Sequence, residues 1–170
     1  MNFRTLKNYS LCALALSLSV HAGTALAKDF TEAQFASQPL GHGVYELAYD
    51  AGQKSLYAAS APSFDKDKTA GEVFRLSTGS LKIDQRITTQ RRPFAVSLDE
   101  PNHILWLGNA LDGSVTLLAT RTTKEVKTMQ LADAERQAHV RDVVLAKTHN
   151  RLSVSGIGSE NKGVLWVVDT

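Results

Sequence analysis

Three stretches of this chain can be written over one another without a gap. Residues 45–60 (YELAYDAGQKSLYAAS) align with 94–109 (FAVSLDEPNHILWLGN) at an offset of 49, and those with 141–156 (RDVVLAKTHNRLSVSG) at a further 47. Asp50 falls on Asp99, Leu56 on Leu105 and Leu152, and Tyr57 on Trp106. The polar turn residues Gly52-Gln53-Lys54, Pro101-Asn102-His103 and Thr148-His149-Asn150 coincide as well. Each stretch reads as two short strands joined by a turn. Each is followed by a third strand that opens on glycine: GEVFRLST from Gly71, GSVTLLAT from Gly113 and GVLWVVDT from Gly163. The first two units add a fourth strand, residues 81–87 and 124–131. Four short antiparallel strands recurring about every 45–50 residues make the blade of a β-propeller. A β-sandwich has no need of such a repeat. The fold class is therefore all-β: a partial propeller of about three four-stranded antiparallel blades.

The boundaries follow from the alignment. Blade one covers residues 44–87, blade two 94–131 and an incomplete blade three 141–170. FASQ, residues 35–38, aligns with 84–87 and is predicted to be a lone outer strand that would complete the last blade of a closed ring. Propellers close with about four to eight blades, so this set does not close one. The expectation is a sequence truncated relative to the whole ring, or one that a second polypeptide completes. The strand over 163–168 is then left without an outer partner. It is almost wholly apolar, with no charge or proline to block edge pairing, so self-association is expected.

The first 27 residues read as a secretory signal peptide. Arg4 and Lys7 precede an apolar run over 11–20, too short to span a bilayer, and Ala25-Leu26-Ala27 supplies the cleavage pattern. Cleavage after Ala27 predicts a periplasmic protein with no stable membrane insertion. It also removes Cys12, the only cysteine, so no disulfide staples the fold. Losing Arg4 and Lys7 leaves 17 basic residues against 17 acidic ones, so the basic balance of the whole chain is an export feature and not a nucleic-acid footprint.

Strand order puts the connections entering each blade and the second-to-third loops on one face, the top face. Long loops often carry function. Arg91 and Arg92 are candidates for phosphate or acidic ligands, and Arg141 stands at the entrance of blade three near the expected channel. His42 and Phe64, the latter within the charged loop APSFDKDKTA, complete the candidate ligand- or nucleic-acid-binding set. Asp65, Asp67, Asp133, Glu135, Asp142 and Glu160 share that face and argue against a strong electrostatic funnel. His42, His103, His139 and His149 lie in different turns without paired ligand spacing, so no metal site and no cofactor is predicted. Gly156-Ile157-Gly158 lacks the third glycine and the helix of a dinucleotide loop and reads as a tight bend. No nucleophile elbow or catalytic order of Ser, His and Asp stands out. Tyr57, Trp106 and Trp166 read as core between blades.

LWLGNALDGSVT (105–116), SVSGIGSENKGVLWVVD (153–169) and GHGVYELAYD (41–50) resemble the YncE-type proteins, bacterial periplasmic propellers built from YVTN-type repeats. The resemblance covers nearly all of residues 39–170. It implies a ring of seven blades, export, and single-stranded DNA as a proposed ligand. The reading is a non-catalytic periplasmic propeller that binds a ligand or partner through its top-face loops. The alternatives are a propeller enzyme whose catalytic residues lie in further blades, and a remnant with no function of its own.

Overall fold

A computed structural model describes residues 35–63, 65, 70–132 and 138–170. The predicted signal peptide and Phe64 lie outside the described residues. Eleven strands run in chain order among those described: β1 Val44–Asp50, β2 Ser55–Ser60, β3 Gly71–Ser77, β4 Ile83–Thr89, β5 Arg92–Asp99, β6 Ile104–Ala110, β7 Ser114–Ala119, β8 Lys124–Gln130, β9 His139–Ala146, β10 Arg151–Ile157 and β11 Gly163–Asp169. They form three antiparallel sheets of order β1-β2-β3-β4, β5-β6-β7-β8 and β9-β10-β11. This is the architecture of three successive propeller blades, the third with three strands. No helix among the described residues is long and apolar enough to cross a membrane.

The repeat is visible in backbone detail as well as in side chains. Lys54, His103 and Asn150 close the first-to-second turn of each blade with φ of 50°, 56° and 48°. The carbonyl of each accepts a hydrogen bond from the N–H of the threonine that ends the third strand: Thr78 at 3.1 Å, Thr120 at 2.9 Å and Thr170 at 2.9 Å. Lysine and histidine thus hold a left-handed conformation more typical of glycine or asparagine. The recurring threonine contact ties that turn to the third strand.

The core lies between sheets. Ala48, Tyr57, Ala59, Val73 and Ile87 of blade one interdigitate with Val96, Leu105, Leu107 and Leu118 of blade two. The other face of blade two, with Ala95, Trp106 and Val115, packs on Val140, Val143, Leu152 and Val154 of blade three, and Trp166 packs against this cluster from β11. The middle strands of blade two, β6 and β7, accordingly read as nearly continuous buried runs, because strands covered on both faces lose the alternation of half-exposed ones. The outer faces of blades one and three keep exposed apolar side chains, Leu47 and Tyr49 on one and Val144, Leu165 and Val167 on the other. In the repeat register Leu47 and Tyr49 stand where Val96 and Leu98 meet blade one, and Val167 where Leu117 meets blade three. Both outer faces are therefore built as blade-packing surfaces.

Two expectations are corrected. Residues 35–38 form no strand and Phe35 is exposed; just beyond them Leu40 packs against the Ala58, Phe74 and Leu76 cluster. A four-residue strand needs a sheet edge, and the edge expected to receive it is not among the described sheets. Arg92, expected in a surface connection, is the first residue of β5 and is buried.

Candidate functional site: a row of bulged residues on the inner strands

The first strands of the blades, β1, β5 and β9, approach one another and form the inner edge of the assembly. Each carries a break in its ladder at the same repeat position. Val44 pairs with Ser60 and Glu46 with Ala59, with Tyr45 the extra residue where the register shifts. Pro93 pairs with Asn109 and Ala95 with Gly108, leaving Phe94. Val140 pairs with Gly156 and Asp142 with Ser155, leaving Arg141. A β-bulge re-aims the side chain of its extra residue. Here the three re-aimed side chains stack in a row: the Tyr45 and Phe94 rings are 4.3 Å apart and 27° from parallel, and the Arg141 guanidinium lies 5.1 Å from the Phe94 centroid. Aromatic stacking and cation–π contact each contribute about 0.5–1.5 kcal/mol.

A pair of carboxylates flanks this row. Val96 N–H donates to Glu46 Oε2 at 2.6 Å. Burial pushes the Glu46 carboxyl above its usual range, the Val96 bond opposes that, and the nearby Asp142 carboxylate raises it further. At the mouth of blade three, Leu111 N–H donates to His139 Nδ1 at 3.1 Å. Burial first, and the Arg141 charge second, hold that imidazole below its ordinary value. An accepting Nδ1 belongs to a neutral ring, so the hydrogen bond and the shift agree.

Of the described residues singled out from sequence, Arg141 alone joins this row. Arg91 is engaged elsewhere: its Nε meets Asp112 Oδ2 at 2.6 Å. Asp112 is itself fixed by Ser114 Oγ, which donates to Oδ1 at 2.7 Å, and Ser114 connects through the buried Asn109 amide to Thr116 and Thr128. Arg92 Nη2 donates to the Asp65 backbone carbonyl and clamps the second-to-third loop of blade one. His42 is exposed in the bend before β1. Sequence reasoning passed over Tyr45 and Phe94 as site residues. Their signal was available, because they occupy one column with Arg141 in the repeat alignment. Among the described residues no group of three His, Cys, Asp or Glu side chains could hold a metal. The arrangement offers an aromatic stack and one cation beside two carboxylates, which suits stacking of a planar ligand with a limited contribution from ligand charge.

No protein-family model matches the chain. It is 31% identical over 168 residues to YncE of Escherichia coli O157:H7, an alignment that takes in 94% of this chain and 47% of that protein. Against YncE of Salmonella typhi it is 31% identical over 136 residues, 76% of this chain and 37% of the relative. The chain thus spans about half the length, or less, of the curated relatives it matches. Among solved structures, Kuenenia stuttgartiensis hydrazine synthase superposes with a TM-score of 0.58 at 15% identity, over 84% of this chain and 36% of that one. The β-propeller domain of Myceliophteria thermophila Cps50 (Swd1) does so with 0.52 at 12%, over 77% and 40%. At these identities the structural neighbours speak to the fold alone. With three repeated sheets in propeller order and this level of identity, the chain is a partial β-propeller homologous to the YncE proteins.

Proposed function

We propose that this chain is the blade-one-to-three portion of an exported, non-catalytic propeller that binds a ligand on its top face, with single-stranded nucleic acid as the ligand class. The observation that carries the reading is the bulged row Tyr45–Phe94–Arg141 on the inner strands. Successive aromatic faces beside a cation are how sequence-tolerant single-strand binders hold bases and backbone, at about 1–3 kcal/mol per stacked base. The balanced charge of the chain beyond residue 27 limits the phosphate contribution. Binding is therefore weak and falls away at moderate salt.

Titration of labelled oligothymidylate tests the proposal. Phe94→Ala and Arg141→Ala should each weaken binding by about tenfold, and Arg91→Ala by less, because Arg91 is already neutralised by Asp112. Arg92→Ala is a poor probe, since it removes a buried structural contact. Binding that survives both Phe94→Ala and Arg141→Ala unchanged refutes the site. Export rests on the signal-peptide reading, and N-terminal sequencing of periplasmic material should begin at Lys28. Self-association rests on the apolar outer faces of blades one and three, and light scattering on the isolated chain reads it directly.

A further inference from the structure

On the opposite face, between blades two and three, the structure holds a cavity of about 420 Å³, within the range of small-molecule sites. Ile104, Trp106, Leu117 and Leu145 supply its apolar walls, and Asp99 and Lys147 are among its polar lining. The repeat provides an internal comparison, because the interface between blades one and two has every corresponding position. There Tyr57 stands for Trp106, Arg75 for Leu117, Glu100 for Lys147 and Gly52 for Pro101. Two features close on that first interface. Arg75 lies beside the buried Tyr57 across the β2–β3 ladder, and Gly52 N–H donates to Glu100 Oε1 across the blades at 2.8 Å. At the second interface each of these closures is absent. Leu117 is shorter than arginine, Pro101 has no N–H to donate, and Lys147 cannot accept a hydrogen bond. Thr170, which also lines the cavity, is held by the Asn150 carbonyl as Thr120 and Thr78 are held in their blades. Its position therefore belongs to the repeat.

We infer that this inter-blade cavity is a binding site for a small monocarboxylate with an apolar body. The walls take the apolar part. Lys147, which makes no ion pair among the described residues, takes the carboxylate. Asp99, held by Asn102 Nδ2 at 2.8 Å, sets a negative charge on the same cavity and disfavours a second anionic group on the ligand. The site is separate from the bulged row and independent of what binds there.

Calorimetric titration of the full chain with phenylacetate, phenethylamine and the dianion 4-carboxyphenylacetate tests the inference. Phenylacetate should bind, and the amine and the dianion should bind at least about tenfold more weakly. Leu117→Arg restores the residue of the first interface, puts a longer side chain into the cavity wall and should abolish phenylacetate binding. Lys147→Glu, at an exposed turn, should reverse the preference in favour of phenethylamine, and it decides the matter should Leu117→Arg unfold. No phenylacetate binding, equal binding of acid and amine, or an unaltered preference in Lys147→Glu overturns the assignment.

Discussion

Gly108→Ala adds one methyl group at a tight point between blades two and three. Gly108 sits in β6 opposite Ala95 and Val115. An added Cβ would lie 2.4 Å from Val140 Cγ1, 3.0 Å from Ala95 Cβ and 3.1 Å from Val143 Cγ1. Carbon atoms in good contact are about 3.5–4.0 Å apart, so the nearest overlap exceeds about 1 Å. Val140 and Val143 are both buried, and valine is stiff about χ1. Relief therefore requires β9 to move away from β6 over much of their contact. Overpacking of this kind costs about 1–3 kcal/mol. At a urea slope of about 2 kcal/mol per molar, that lowers the unfolding midpoint by roughly 0.5–1.5 M. Gly79→Ala and Gly163→Ala, where nothing lies within 4 Å of the new Cβ, should stay within about 0.5 kcal/mol of the parent. Adding Val140→Ala to Gly108→Ala should recover part of the loss, seen as a favourable coupling of at least about 0.5 kcal/mol in the double-mutant cycle. A Gly108→Ala protein as stable as its parent, or a cycle with no coupling, would refute the packing argument.

Other outcomes follow from the site and its supports. Because the folded His139 pKa is held below 6.5, the unfolded chain binds more protons just below that pH; the contribution is complete above 6.5 and is lost as pH falls through the folded value. His139→Asn, which keeps an acceptor for Leu111 N–H, should flatten that limb of the denaturation profile. The Glu46 carboxyl behaves oppositely: its pKa is raised from 4.5 by burial against the Val96 bond, with Asp142 adding to the rise. Its contribution is complete below 4.5 and is lost as pH climbs through the raised value. Glu46→Gln retains an acceptor for Val96 and should raise the denaturation midpoint at neutral pH. Asp112→Ala removes partners of both Arg91 and Ser114 and should cost about 1–2 kcal/mol, measured by urea unfolding. Val167→Lys puts a charge on the apolar outer face of β11 and should reduce the mass seen by light scattering; an unchanged oligomer would place the contact elsewhere.

Much of this architecture was legible before any coordinates. The aligned stretches placed all eleven described strands to within a few residues, because period-2 patterning and turn chemistry are local and the repeat states them three times. Tyr57 and Trp106 could be assigned to inter-blade core for the same reason. The repeat column also held Tyr45, Phe94 and Arg141 together, but not what they do. A bulge displaces the ladder by one residue without changing composition, so only the paired strands reveal which residue is extra and where it points. The adjacent Arg91 and Arg92 look equivalent in sequence. The start of β5 turns one toward Asp112 and buries the other beneath the Asp65 carbonyl. The cavity was likewise invisible. Leu117 and Lys147 lie thirty residues apart, and their departure from Arg75 and Glu100 acquires meaning only when two blades are packed face to face. Local pattern determines which segments become strands; steric fit between strands distant in sequence decides which side chains fill the interfaces and which remain free to meet a ligand.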